Sequence, residues 1–158
     1  MNPNDPPEPD ITRILVVDDE AMQLKALVDV LRLEGYEVQG WDSAEAALSE
    51  ACFSDADLLI TDLRMPGVDG IEFIRRVQTL HPELPAILVT AHASIESAVD
   101  AMRSGAVDYV PKPFRLSTMI STVERALALK RLRLRNRQLQ DEIRRQYEQL
   151  LVVNQELD

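Results

Sequence analysis

The chain has 158 residues, 46% hydrophobic, 28% charged and 4% aromatic, with one cysteine and a formal net charge of −10. These values exclude a disordered, collagenous or disulfide-stapled chain and suit one aliphatic-cored domain with something appended. The acid lies in residues 1–122, with 9 Lys/Arg against 21 Asp/Glu, which argues against a direct nucleic-acid binder. Such a binder needs a basic face to displace counterions.

Residues 1–11 are proline-rich and aperiodic, so a mobile tail is expected there, with none of the basic and apolar regions of a secretion signal. No apolar run approaches the ~20 residues of a membrane helix. The lone Cys52 fits a reducing compartment, so a cytoplasmic location is expected.

From residue 12 two patterns alternate. Short β-branched apolar runs fall at 14–17, 36–41, 58–61, 86–90 and 106–110. Amphipathic stretches fall at 20–34, 43–52, 70–80 and 94–104, and a last one starts at 116. Gly35 and Gly105 stand where left-handed helix C-caps belong. Ser43 is a serviceable N-cap, and Ser94 with Ser97 is a weaker one. Cys52 closes the second stretch as a small half-buried hydrophobe, Trp41 packs at the end of the second run, and His81 lies in a solvated loop. Strands alternating with helices predict an α/β fold, a doubly wound five-stranded parallel sheet covered on both faces.

Such sheets place ligands at the carboxyl ends of their strands. Asp18 and Asp19 end the first run, Asp62 the third, Thr90 and Ala91 the fourth, and Lys112 the fifth. Carboxylates ~4 Å apart repel by about 4 kcal/mol per pair at an effective dielectric near 20. Lys112 and a hard divalent ion, Mg²⁺ or Mn²⁺, would offset that repulsion.

These residues sit in ILVVDDE (14–20), LLITDLRMPGVDG (58–70), ILVTAHAS (87–94) and DYVPKPF (108–114). Asp19 and Asp62 are 43 residues apart, Asp62 and Thr90 are 28 apart, and Thr90 and Lys112 are 22 apart. Over 12–130 the chain resembles the receiver domains of two-component response regulators. The resemblance implies a flavodoxin-like strand order of 2-1-3-4-5. It also implies that Asp62 accepts a phosphoryl group from a sensor histidine kinase or phosphotransfer protein. Metal would be held by Asp19, Asp62 and the backbone carbonyl of Arg64, with Asp18 acting through water. Thr90 and Lys112 would hold phosphoryl oxygens, with the small Ala91 leaving room for them. Tyr109 would turn inward when Thr90 moves, changing the face formed by the fourth helix, fifth strand and fifth helix. Lys112-Pro113 is expected to be cis. Arg64 and His92, each two residues past a site residue, are candidates for tuning dephosphorylation; for His92 a merely exposed side chain is the other reading. A receiver of this kind promotes only its own aspartyl phosphorylation and dephosphorylation and is not otherwise an enzyme.

The last helix meets no Gly or Pro from Arg115 onward. A heptad register places Leu129, Asn136, Ile143, Leu150 and Leu157 at a, and Leu132, Leu139, Gln146 and Val153 at d. That seam predicts a coiled-coil linker over 131–158 forming a parallel homodimer, with Asn136 setting the register. The basic run from Lys130 to Arg137 reads as a solvated helix surface.

A haloacid-dehalogenase-type phosphatase fits poorly, because the first strand carries adjacent aspartates where that family has DxD. A scaffold that dimerises without phosphorylation is the alternative function. The segment TAHAS and the long helix resemble receivers of NtrC-like AAA+ activators. The tail is equally like linkers to kinase, cyclase or phosphodiesterase modules, and its end in mid-heptad suggests a chain cut at a linker.

Overall fold

The computed structural model describes residues 11–156. The seam position Leu157 and, apart from Ile11, the expected tail lie outside the described residues. Five strands, β1 (Arg13–Val17), β2 (Glu37–Trp41), β3 (Leu58–Asp62), β4 (Ala86–Thr90) and β5 (Ala106–Pro111), alternate with α1 (Ala21–Leu33), α2 (Ala44–Glu50), α3 (Gly70–Leu80), α4 (Ile95–Arg103) and α5 (Leu116–Glu156). The sheet is wholly parallel in the order β2-β1-β3-β4-β5. β3 and β4 are buried at every position, which is why they lack an apolar–polar alternation.

The sheet divides two aliphatic cores. On one face Leu15, Val17, Leu59 and Leu88 meet Phe73, Ile74 and Val77 of α3. On the other Ile14, Val16, Ile60, Ile87 and Val89 meet Val28 and Leu31 of α1 and Met119, Val123 and Leu127 of α5. The helices therefore flank both faces, and every βα loop opens at the same edge of the sheet.

Helix termini follow from local chemistry. Ser43 Oγ accepts from the Ala46 N–H, and the glycines after α1 and α4 take positive φ, 95° at Gly35 and 109° at Gly105. Ser94 is stronger than its sequence suggests, since Ser97 completes a reciprocal capping box.

Three details differ from the sequence expectations. α2 ends at Glu50, so Cys52 lies beyond the helix and is exposed, its thiol beside Asp55 and Ser54 at 3.3 and 3.4 Å. His81 is half-buried and its ring lies 5.8 Å from that of Phe53, so it is not fully solvated. Lys130 is 8% exposed, and its ammonium donates to the carbonyl of Ala56 at 2.7 Å. The run that Lys130 opens is thus partly a packing face, with Arg137 ion-paired to Glu83 farther along. Residues 130 and 137 are two turns apart on one side of α5, and the base of the sheet supplies their acceptors.

Candidate functional site

Asp18, Asp19 and Asp62 each bring a carboxylate oxygen within 4.8 Å of the others. Asp18 and Asp62 are buried and Asp19 is exposed. Asp18 Oδ1 accepts from the Glu20 N–H at 2.9 Å, a turn that leads directly into α1. Asp62 Oδ1 accepts from the Leu63 N–H at 2.7 Å, which fixes the carboxylate at the strand end.

Lys112 reaches into this cluster from the end of β5. Its Nζ donates to Asp18 Oδ2 at 2.9 Å and lies 3.4 Å from Asp62 Oδ2. Its backbone N–H donates to the Thr90 carbonyl at 2.7 Å, and the Lys112-Pro113 peptide is cis. Burial pushes the Asp62 carboxyl above the ordinary aspartate range; the Lys112 ammonium opposes this and the Asp18 charge reinforces it. The Lys112 ammonium is raised as well. Burial, the largest single influence, pulls it down, but the hydrogen bond and charge of Asp18, with those of Asp62, outweigh it.

The remaining expected residues surround this centre. Thr90 is fully buried, and its Oγ1 accepts from the His92 N–H at 3.0 Å. Ala91, His92 and Arg64 are exposed at the rim. The Tyr109 hydroxyl is tied to the start of α4, 2.7 Å from Ser97 Oγ and 3.2 Å from the Ser94 N–H. A cleft of about 580 Å³ runs from Asp18, Asp62 and Lys112 along Leu27, Phe114 and Leu116 between α1 and α5. The residues from Leu129 to Val153 in the expected seam lie far along α5 and take no part in the site.

Several contributors carry no signal in the sequence. The amide oxygen of Gln23 accepts a close hydrogen bond from Lys112 across 89 residues. Glu45, at the start of α2, accepts from the Val68 N–H at 2.8 Å, and that bond holds its carboxyl below the usual range. Gly70 matters by what it lacks: a Cβ there would overlap the backbone carbonyl of Asp62. Gly70→Ala is expected to lower stability by about 1–3 kcal/mol in urea unfolding, as overpacking does. It should also displace the Asp62 shift in carbonyl-detected spectra.

Hard oxygen donors of this number, open on the Asp19 side, suit Mg²⁺ and not a softer metal. A buried nucleophilic carboxylate, a lysine and a hydroxyl on adjacent strand ends suit phosphoryl transfer. Among the described residues no helix is long and apolar enough to cross a membrane.

Comparison with known proteins agrees with this geometry. The family model described as the response regulator receiver domain matches residues 14–124. The chain is 38% identical over 128 residues to the C4-dicarboxylate transport transcriptional regulatory protein DctD of Pseudomonas aeruginosa, covering 81% of this chain and 28% of that protein. To the transcriptional regulatory protein FixJ of Rhizobium meliloti it is 40% identical, covering 70% of this chain and 54% of FixJ. It thus spans about a quarter to a half of these relatives' lengths. The crystal structure of a response regulator receiver domain protein from Clostridium thermocellum superimposes with a TM-score of 0.72 at 30% identity, covering 77% of this chain and 98% of that one. The chain belongs to the response regulator receiver domain family.

Proposed function

We propose that this chain is a phosphorylation-controlled receiver whose acceptor is Asp62. The carrying observation is the Asp18–Asp19–Asp62 cluster with Lys112 Nζ between two of its members. An Asp62 oxygen forms a bond to phosphorus, the bond from phosphorus to the imidazole nitrogen of a phosphohistidine breaks, and the electron pair stays on that nitrogen. Asp19, Asp62 and the Arg64 carbonyl would hold Mg²⁺, with Asp18 acting through water, and the ion would supply positive charge against the phosphoryl oxygens. Lys112 and Thr90 donate to those oxygens, and exposed Ala91 leaves space for them. The chain promotes this reaction and the hydrolysis of its own aspartyl phosphate, and it acts on no other substrate. In the hydrolysis a water oxygen bonds to phosphorus, the bond from phosphorus to the Asp62 oxygen breaks and inorganic phosphate leaves.

The phosphodonor, a sensor histidine kinase or phosphotransfer protein, docks over the cleft between α1 and α5. The covalent group adds about two negative charges, Thr90 closes on it, and Tyr109 leaves Ser94 and Ser97. The α4–β5–α5 face changes as a result. α5 carries the change into a parallel homodimer through Leu129, Leu132, Asn136, Leu139, Ile143, Leu150 and Val153. The relatives above are transcriptional regulators, so the signal is assigned to a transcription-regulating output. Peptide mapping after treatment with Mg²⁺ and acetyl phosphate tests the acceptor. Label on the peptide holding Asp62 is expected, and robust label elsewhere with Asp62 untouched would sink the assignment.

Arg64 and His92 flank the path of the water that hydrolyses the acyl phosphate. Replacing both with alanine is expected to change the dephosphorylation half-life several-fold, on the order of 3-fold or more, with little change in Mg²⁺ affinity. An unaltered half-life would leave both as plain surface.

A further inference from the structure

We propose that Gln23 is a positioning residue for phosphoryl transfer, holding the Lys112 ammonium in the orientation from which it meets the incoming phosphoryl group; this rests on Asp62 being the acceptor. An ammonium has three N–H donors and no acceptor. Here the three have three partners, in the β1–α1 loop, in α1 and at the end of β3: Asp18 Oδ2 at 2.9 Å, Gln23 Oε1 in close contact, and Asp62 Oδ2 at a long 3.4 Å. With two N–H bonds fixed by Asp18 and Gln23, the third is aimed at the Asp62 oxygen, where a phosphoryl oxygen will arrive. The lysine side chain is 14% exposed, while Gln23 is exposed and meets it at the solvent edge of the cluster.

Gln23 suits the task for a further reason. A carboxylate at its position would add a fourth negative charge to the cluster, whereas an amide oxygen directs the ammonium without adding charge. Its own placement is secured, because the Asp18–Glu20 turn starts α1 and puts Gln23 in the first turn of that helix. Asp18 thus anchors one N–H directly and the second partner indirectly. Orientation of this kind lowers the barrier by removing the search that a free butylammonium would make.

The test compares Gln23→Met with the native chain at saturating Mg²⁺ with acetyl phosphate as donor. In that step the Asp62 oxygen bonds to phosphorus, the bond from phosphorus to the acetate oxygen breaks, and acetate leaves with the electron pair. Phosphorylation is expected to slow by about 3- to 10-fold with the half-saturating Mg²⁺ unchanged. In a Lys112→Met background the same substitution should change the rate by less than about 2-fold, since its effect runs through the lysine. The Lys112 ammonium signal in ¹⁵N spectra is expected to be slow to exchange in the native chain and to be lost in Gln23→Met. An unchanged rate in Gln23→Met, equal slowing in both backgrounds, or an unaffected ammonium signal would overturn the proposal while leaving Asp62 as acceptor. A native chain that takes no phosphoryl group on Asp62 would overturn both.

Discussion

Treated with Mg²⁺ and acetyl phosphate, the native chain should gain one phosphoryl group in intact mass, and Asp62→Asn should gain none. Neither neighbouring aspartate is expected to take the group in place of Asp62. Asp18 is engaged by Lys112 at 2.9 Å, and Asp19 lies at the exposed rim of the cluster. Asp19→Ala should slow the reaction by roughly 100-fold or more, the scale lost when a charge-stabilising group is removed from a transition state. The Asp62→Asn variant has a second expected effect, on stability without metal. Because the folded state raises the Asp62 pKa, folding loses free energy as pH rises from the unfolded value through the folded one. The cost is fully present above the folded pKa. Asp62→Asn in EDTA should therefore melt higher than the native chain at pH 7, with the gain shrinking as pH falls. A lower melting point at pH 7 would mean that the Lys112 contact outweighs burial and the Asp18 repulsion.

The 158-residue chain should sediment as a dimer at micromolar concentration, and chains ending at residue 130 or 137 should sediment as monomers. α5 is one helix of 41 residues, about 60 Å at 1.5 Å per residue. Leu132, Leu139, Ile143, Leu150 and Val153 leave 64, 51, 66, 63 and 50% of their surface open to water. Lys130 and Arg137 occupy the side of the helix that packs on the base of the receiver. The a/d stripe lies roughly a third of a turn away at 3.6 residues per turn, so a second copy can approach without breaking those contacts. The chain ending at 137 keeps both contacts and loses most of the seam, which separates loss of pairing from loss of receiver stability. Asn136→Leu should raise the melting temperature and relax dimer specificity toward higher oligomers. With Cys52→Ser, Asn136→Cys should crosslink to its own counterpart in a parallel pair. A monomeric 158-residue chain would remove the dimer from the proposed function.

The alternation of apolar runs with amphipathic stretches was enough to place five strands and five helices, because strand burial and helix capping depend on residues within a few positions of one another. The parallel order placed Asp18, Asp19, Asp62, Thr90 and Lys112 at one sheet edge, so the centre of the site was legible once each residue was assigned to a strand end. The partners that orient it were not. Gln23 meets Lys112 across 89 residues, and Lys130 meets the Ala56 carbonyl across 74. Neither pairing leaves a periodicity or a spacing to detect. An exposed-looking lysine became a buried one because the sheet base offers a carbonyl that the helix alone cannot show. Gly70 and Glu45 are of the same kind: one is needed because the Asp62 backbone passes too close for a Cβ, the other because a loop N–H needs an acceptor. Local chemistry determined which residues could react, and close approach between distant segments decided how they are held.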